Sequence, residues 1–464
     1  MTAAVDWEAA TAEVVEHLRA LIRIPSVNPP GLEDGAAGRD SLDAETAAAH
    51  YCAEVLTGAG IPAEIVEVAP GRGSCFARLS AARDAPQQPP LILLSHLDVV
   101  PVQADAWSRD PFGAELIDGV IWGRGAVDMK DMVAMELGVM LALQRSGAEL
   151  RRDLIFAAVA DEEAGGMAGA QALVRSHPHL FGSAGGAAAA AAINEVGGYS
   201  MTVRGSRFYA IQVAEKGIMW SRVHADGMPG HGSMPHDDNA TVHLAQAIAR
   251  LAEDPRPARI HPVVDGFLAA IGLGEVARLA VGDPAAAAAL LEAEVDDPVL
   301  RRSLDAMLRD TVTPTIMSAG NKVNVIPGRA VAEIDVRTLP GTDQDALLGH
   351  LRAVAGDKAR VETVATLPPV VAPSDHELVG YMRDALRRAD PEATPVPMMI
   401  TPGTDAKALA ELGIPTYGFA PLRLDSDVPF LSLFHGHDER VPVSALRFGL
   451  PVLHEVVSRF VLRD

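Results

Sequence analysis

Three short stretches of the chain are apolar at every position, and each runs directly into a polar cluster. Leu91–Leu94 (LILL) leads into Ser95-His96-Leu97-Asp98. Leu154–Ala160 (LIFAAVA) leads into Asp161-Glu162-Glu163, and Ala188–Ile193 into Asn194-Glu195. Continuous apolar runs of this length, bounded by turn signals, predict strands covered on both faces. A fourth cluster, Gly123–Asp128 (GRGAVD), precedes Met129–Arg145, which is apolar nearly all round and so predicts a buried helix. Asp6–Ile24 carries Val14, Leu18, Leu21 and Ile22 on one helical face. Asp43–Thr57 is a second helix stopped by Gly58-Ala59-Gly60, and Ala168–Arg175 is a third. Short strands are expected at Glu64–Val68 and Cys75–Leu79, and a Pro/Gly-punctuated loop over 24–40. Strand–helix alternation of this kind predicts an α/β sheet with substantial parallel content.

The texture changes near residue 207. Arg207–Ala214, Ile218–Ala225, Thr315–Ser318 and Ala330–Thr338 alternate like half-exposed strands, with helices at Thr241–Leu251 and Asp343–Val354. That predicts an α+β domain over 207–367, carrying a helical Ala/Leu/acidic insert at 255–310 and set between two parts of the first domain, 1–206 and 368–464. A chain of 464 residues is long enough to make two domains the default.

The composition is that of a soluble globular protein, with 48% hydrophobic and 22% charged residues. A net charge of −22 argues against nucleic acid and against an anionic membrane surface, which both require a basic face. Cys52 and Cys75 are too few for a disulfide framework. The N-terminal stretch lacks the basic and apolar regions of a signal peptide, and no apolar run approaches the roughly 20 residues of a membrane span, so a cytoplasmic location is expected.

The candidate chemistry lies at the strand ends. His96 and Asp98, two apart, face the same way on a strand, so His96 can ligate a metal while Asp98 fixes its ring. Taken singly, each residue has an ordinary explanation: Asp128 as a helix cap, and Glu162, Glu163 and Glu195 as solvated strand ends. Together they are hard oxygen or imidazole donors gathered at successive element ends, where ligands of α/β sheets bind. Such a set leaves uncompensated charge unless a cation is present. In the second domain Gly230-His231-Gly232-Ser233 places a His on a glycine loop, and Pro402-Gly403-Thr404-Asp405 is a turn with a helix cap. His435-Gly436-His437-Asp438-Glu439 offers two imidazoles, between which composition does not choose. His224, His236 and His243 are expected to be structural. No Gly-x-Ser-x-Gly elbow occurs, and neither Cys has the context of a nucleophile.

SHLDVVP, GRGAVDMK, DEEAGG, NEVGG, GHGSMP, NVIPGRA, DVRTLPG, PGTDA and HGHDERV, in that order, resemble the M20 family of co-catalytic zinc peptidases and deacylases. The resemblance implies a zinc-exopeptidase-like α/β catalytic domain, its mixed sheet flanked by helices, with an inserted α+β lid that forms a homodimer contact. It implies two zinc ions, replaceable by Co2+ or Mn2+: His96 and Glu195 on one, Glu163 and His435 on the other, and Asp128 bridging both. His435 is taken over His437 because the family's ligand stands four residues before a Glu, here Glu439. Glu162 matches the general base, and the family often has a cis peptide where Asp128–Met129 lies. His231 matches a carbonyl-polarising lid residue, Asn324 and Arg337 match residues holding the substrate carboxylate, and Gly403 and Thr404 match a loop lining the pocket floor. Neighbours on an extended segment point opposite ways, so Glu162 and Glu163 are expected to have different roles. The insert at 255–310 makes the lid longer than in the simplest members. The expected substrate is a dipeptide or an N-acyl amino acid with a free carboxylate, its amide hydrolysed by metal-activated water. The competing readings are a metal-free binding or scaffold protein on the same fold, and a dinuclear phosphoesterase.

Overall fold

A computed structural model of the chain describes residues 5–28, 43–85, 88–183, 186–425 and 428–463. Most of the loop expected over 24–40 lies outside the described residues. The chain forms two compact units. Met1–Val213, Ala372–Met398 and Thr404–Asp464 make the first, and Ala214–Val371 with Met399–Gly403 the second.

In the first unit α1 (Trp7–Ile22) begins at Asp6, whose carboxylate accepts from the amides of Glu8 and Ala9, and it buries the expected Val14, Leu18, Leu21 and Ile22. After α2 (Ala44–Gly58) come β1 (Ala63–Glu67), β2 (Gly73–Leu79) and β3 (Leu91–His96). Next follow α3 (Lys130–Ser146), β4 (Leu154–Val159), α4 (Ala170–Ser176), β5 (Ala191–Asn194) and β6 (Ser206–Glu215). β3 pairs in parallel with β4 on one side and β5 on the other, and β1 and β2 add antiparallel strands beyond β4. Every residue of β3 and β4 is buried, as their unbroken apolar runs require. α3 is buried from Lys130 to Leu143, packed among α1, β3 and β4. Lys130 sits inside because its ammonium donates to the carbonyls of Leu21 (3.0 Å) and Ile24 (2.8 Å) at the end of α1. The strand expected at Arg207–Ala214 is not half-exposed. In β6 every residue from Phe208 to Glu215 is buried, because the strand runs inside this large mixed sheet.

The second unit opens with β7 (Gly217–Asp226) and α5 (Ala240–Glu253). Four short helices follow, α6 (Pro262–Ala270), α7 (Gly274–Gly282), α8 (Pro284–Glu294) and α9 (Pro298–Ala306). β8 (Thr311–Ala319), β9 (Arg329–Thr338), α10 (Gln344–Ala355) and β10 (Ala359–Leu367) complete it. Its sheet is antiparallel in the order β8-β9-β7-β10. One face buries Val223, Ala225, Ala332, Ile334 and Val336 beneath Leu244 and Leu251 of α5 and Leu351 of α10. The other face is polar and partly exposed, which is why β9 alternates strictly. Pro314 is tolerated because β8 is an edge strand whose register shifts between Pro314 and Ile316.

The chain then adds β11 (Thr416–Gly418) in parallel beside β5, and ends on α11 (Val443–Val461). Four parallel strands, β4, β3, β5 and β11, therefore stand side by side with their carboxyl ends together. No described helix is long and apolar enough to cross a membrane.

The backbone is tight at this edge. Val196, just past β5, has a φ of 52°, an outlier for a β-branched residue. A Cβ on Gly418 would stand 2.2 Å from the Val196 carbonyl oxygen and 2.3 Å from that of Glu195. Gly418→Ala should therefore destabilise the protein by about 1–3 kcal/mol, read as a lower urea midpoint at unchanged m. A wild-type midpoint would show that the strand end gives way freely.

Candidate metal centre

The carboxyl ends of the parallel strands deliver one cluster, all of it within the first unit. His96 is the last residue of β3, Asp128 ends the loop before α3, and Glu162 and Glu163 follow β4. Glu195 follows β5, and His435 lies in the loop before α11. His96 Nε2 is 3.2 Å from Asp128 Oδ1 and 3.6 Å from Glu195 Oε2. His435 Nε2 is 3.2 Å from Asp128 Oδ2 and 3.1 Å from Glu163 Oε2. The two oxygens of Asp128 thus face two different imidazoles. The Asp128–Met129 peptide is cis. His96, Asp128 and Glu163 each offer a donor atom within 4.8 Å of the others, as do His96, Glu162 and Glu195.

The donors fit divalent metal. His96 Nδ1 lies 3.0 Å from the main-chain oxygen of Asp98, which can only accept, so Nδ1 carries a proton and Nε2 is the atom left for a metal. Its Nε2 lone pair then points at carboxylate oxygens, a repulsive arrangement unless positive charge lies between them. The gaps of 3.1–3.6 Å come close to the spacing of donors around a tetrahedral ion, about 3.3–3.6 Å for bonds of about 2.0–2.2 Å. Glu163 Oε1 is buried without a hydrogen-bond partner among the described residues. Imidazole and carboxylate donors in this mixture suit zinc and its divalent neighbours.

Electrostatics make the same demand. Burial alone would hold His96 neutral, yet Glu195, Asp128 and Asp98 raise its pKa well above the ordinary range. Hydrogen bonds to Asp128 and Glu163 push His435 up to about 10. Burial, then the charge of Asp128, raises Glu163 to about 7, and burial with Glu195 raises Glu162 well above the usual range. Acids that resist ionising beside bases that hold protons mark a crevice short of positive charge.

Asp98 organises the near wall. Its carboxylate accepts from the amides of Glu162 (3.1 Å) and Glu163 (3.0 Å) and from Asn28 Nδ2 (2.8 Å), and it stands 3.5 Å from His96 Nδ1. Asn28 Nδ2 also donates to Asp161 (3.2 Å), while Asn28 Oδ1 accepts from Arg72 (3.2 Å). The amide therefore reads one way only, oxygen toward the guanidinium and nitrogen toward the acids. Arg72 also binds Glu45 at 2.7 Å, and Asp98, Asn28, Asp161, Arg72 and Glu45 are all buried. The residue types of Asn28, Glu45 and Arg72 gave no warning of this, since no motif or periodicity marks them.

Glu162 and Glu163 do not lie on an extended segment, as their neighbouring positions suggested. They sit in a 3-10 turn, Glu162–Ala164, after Asp161 at a φ of 71°. Successive side chains there diverge by about 120°, which sends Glu163 toward His435 and Glu162 toward the His96–Glu195 side. His437 is exposed and makes no hydrogen bond to the cluster among the described residues. Thr404 is buried in the first unit. Its Oγ1 accepts from Asn194 Nδ2 and from the amide of Ala406, both at 3.1 Å, just ahead of the short helix Ala406–Ala410, whose N-cap is Asp405. Gly403 belongs to the second unit, as do His231, Asn324 and Arg337. There His231 is exposed and lies not on a loop but in a two-residue strand, Gly230–His231, paired with Val325–Ile326; its Nδ1 is 2.8 Å from Ser233 Oγ, and the Gly232 amide donates to the Asn324 carbonyl (2.8 Å). Arg337, on β9, donates through Nε to Asp335 at 2.8 Å.

Comparisons with known proteins follow the same outline. Residues 92–459 match the profile of Peptidase family M20/M25/M40. Over 378 residues the chain is 26% identical to the probable carboxypeptidase S-like 2 of Dictyostelium discoideum, covering 76% of this chain and 68% of that one. It is 28% identical over 392 residues to the N-fatty-acyl-amino acid synthase/hydrolase PM20D1 of Homo sapiens, covering 80% and 74%. Among solved structures, the di-peptidase Dug1p from Saccharomyces cerevisiae aligns over 98% of both chains with a TM-score of 0.70 and 14% identity, a likeness of fold.

Arg72 holds the network behind the centre, and its removal strands buried acids. Arg72→Met should cost about 3–5 kcal/mol in a denaturation experiment, with part recovered in Arg72→Met/Glu45→Gln. A near-neutral single variant would mean that the buried acids do not rely on this cation.

Proposed function

The chain belongs to peptidase family M20/M25/M40 and is a hydrolase of the metallopeptidase type, and on that premise we propose a dinuclear zinc amidohydrolase acting on a dipeptide or N-acyl amino acid. One observation carries the proposal: Asp128 turns one oxygen to His96 and the other to His435, with Glu195 and Glu163 beyond them. In this reading His96 and Glu195 hold one ion, Glu163 and His435 the other, and Asp128 serves both. Co2+ or Mn2+ could replace zinc with the same donors. Bound there, the ions supply Lewis acidity toward the amide carbonyl and acidify a water.

The chain's own residues do the rest. Glu162 takes the proton of the attacking water and returns it to the leaving amine. Asp98 holds the His96 ring and, through two amides, the Glu162-Glu163 turn. His231 is assigned to polarise the amide carbonyl, and Asn324 and Arg337 to hold the substrate carboxylate, for which a planar guanidinium is suited. Gly403 and Thr404 are assigned to the pocket floor. The names of the relatives, one carboxypeptidase S-like and one an N-fatty-acyl-amino acid hydrolase, support either an amino acid or an acyl group on the far side of the amide. A homodimer through the second unit belongs to the same proposal. A metal-free binding protein is disfavoured, because every donor is retained and each faces the others.

A chelator should abolish amide hydrolysis, and two equivalents of zinc per chain should restore it. A screen of N-acyl amino acids against dipeptides identifies the substrate. Activity that survives full removal of metal ends the proposal.

Glu162→Gln should leave metal content unchanged while kcat falls on the order of 10²-fold or more. Glu163→Gln should weaken one ion and respond to added zinc. Metal analysis beside kcat for the two variants separates the roles, and reversed results would exchange them.

Arg337→Lys should raise KM for substrates with a free carboxylate and matter little for their amides. Equal losses on both kinds of substrate would make Arg337 structural.

A further inference from the structure

Glu439 is wholly buried, four residues beyond His435, and its carboxylate is fully engaged. Oε1 accepts from the amides of Val127 (2.7 Å) and Asp128 (3.1 Å). Oε2 accepts from Arg124 Nη1 (2.6 Å) and the amide of Gly125 (3.0 Å). The Glu439 carbonyl in turn accepts from the amide of Gly123 at 2.9 Å. Left-handed Gly125, at a φ of 89°, lets the amides of this loop converge on one anion. Arg124, also buried, reaches past the carboxylate and donates through Nη2 to the carbonyl of Gly436 at 2.9 Å, while its guanidinium lies over the Trp107 ring. A continuous path of hydrogen bonds thus runs from Asp128, through Glu439 and Arg124, to the residue after His435.

His435 itself lies in a loop that is also tied by the Ser108 amide and hydroxyl to Asp438 (2.8 and 3.0 Å) and by the Gly436 amide to the Leu433 carbonyl (3.0 Å), none of which reaches Asp128. The His435 side chain is 58% exposed and its backbone is left-handed, at a φ of 58°. His96, by contrast, ends a buried strand and is fixed by the Asp98 carbonyl. We propose that Glu439, clamped by Arg124 and the loop amides, is a positioning residue that registers His435 against Asp128, so that the cation assigned to His435 and Glu163 depends on it while the cation assigned to His96 and Glu195 does not. The proposal rests on the dinuclear reading of the centre.

The test is competitive metal titration of apoprotein with zinc and a chromophoric chelator, with circular dichroism and thermal melting as folding controls. Wild type should bind two zinc ions per chain. Glu439→Gln presents an amide NH2 group to donors, so it should bind one ion as wild type does and the other about 10–100-fold more weakly. Because that substitution leaves Arg124 unpaired in the interior, Arg124→Met/Glu439→Gln removes the stranded cation and should fold while showing the same selective loss. Wild-type affinity for both ions in a folded variant overturns the proposal, and so does an equal loss of both. If neither variant folds, the clamp belongs to the fold rather than to the centre, which also overturns it. Wild type that binds no zinc would instead defeat the dinuclear reading itself.

Discussion

Asp98, Asp128, Glu162, Glu163 and Glu195 are drawn into one buried crevice, and their mutual repulsion is the constraint that the first unit is built to answer. Water cannot screen them there, so the answer must come from fixed dipoles and buried cations. Backbone amides supply part of it, two of them on Asp98 alone. Arg72 supplies more from behind, through Glu45, Asn28 and Asp161. What is left over falls between the imidazoles and the carboxylates, and it is the charge that the proposed metal pair would answer. The four parallel strands matter because nothing less rigid would hold like charges so close.

The same constraint explains which parts could be read from the sequence. The core of the first unit was legible: unbroken apolar runs such as Leu91–Leu94 and Leu154–Val159 are covered on both faces, and the all-round apolar helix from Lys130 is buried. His96, Glu162, Glu163 and Glu195 were legible because each stands at the end of such a run and Asp128 because it precedes the buried helix, whereas His435 was separated from His437 only by the family resemblance. Their supports were not. Asn28, Glu45 and Arg72 act through tertiary hydrogen bonds between segments far apart in the chain, which leave no trace in local spacing. Two readings failed for physical reasons. Arg207–Ala214 alternates in sequence but lies within a large sheet, where polar positions find partners and burial no longer follows the period. The Glu162-Glu163 pair turns in a 3-10 coil because Asp161 adopts a left-handed backbone just before it.

The second unit follows a simpler logic. Its four-stranded sheet is covered on one side only, so alternation and burial agree along β9, and its helical segment between α5 and β8 leaves that register untouched. His231, Asn324 and Arg337 lie on a two-residue strand, a loop and the open face, where side chains are exposed or held by single neighbours such as Ser233 and Asp335.

The order in which the cluster's residues appear along the chain has a consequence for biosynthesis. His96, Asp128, Glu162, Glu163 and Glu195 are translated early, whereas His435 and Glu439 come 240 or more residues after Glu195. At roughly 5–20 residues per second that interval is about 12–48 s. During it the ribosome-bound chain carries a crowd of carboxylates with neither the last imidazole nor the clamp that registers it. In this state the chain also lacks β11 (Thr416–Gly418), the fourth of the parallel strands, so the cluster cannot assemble until residues 416–439 have been made.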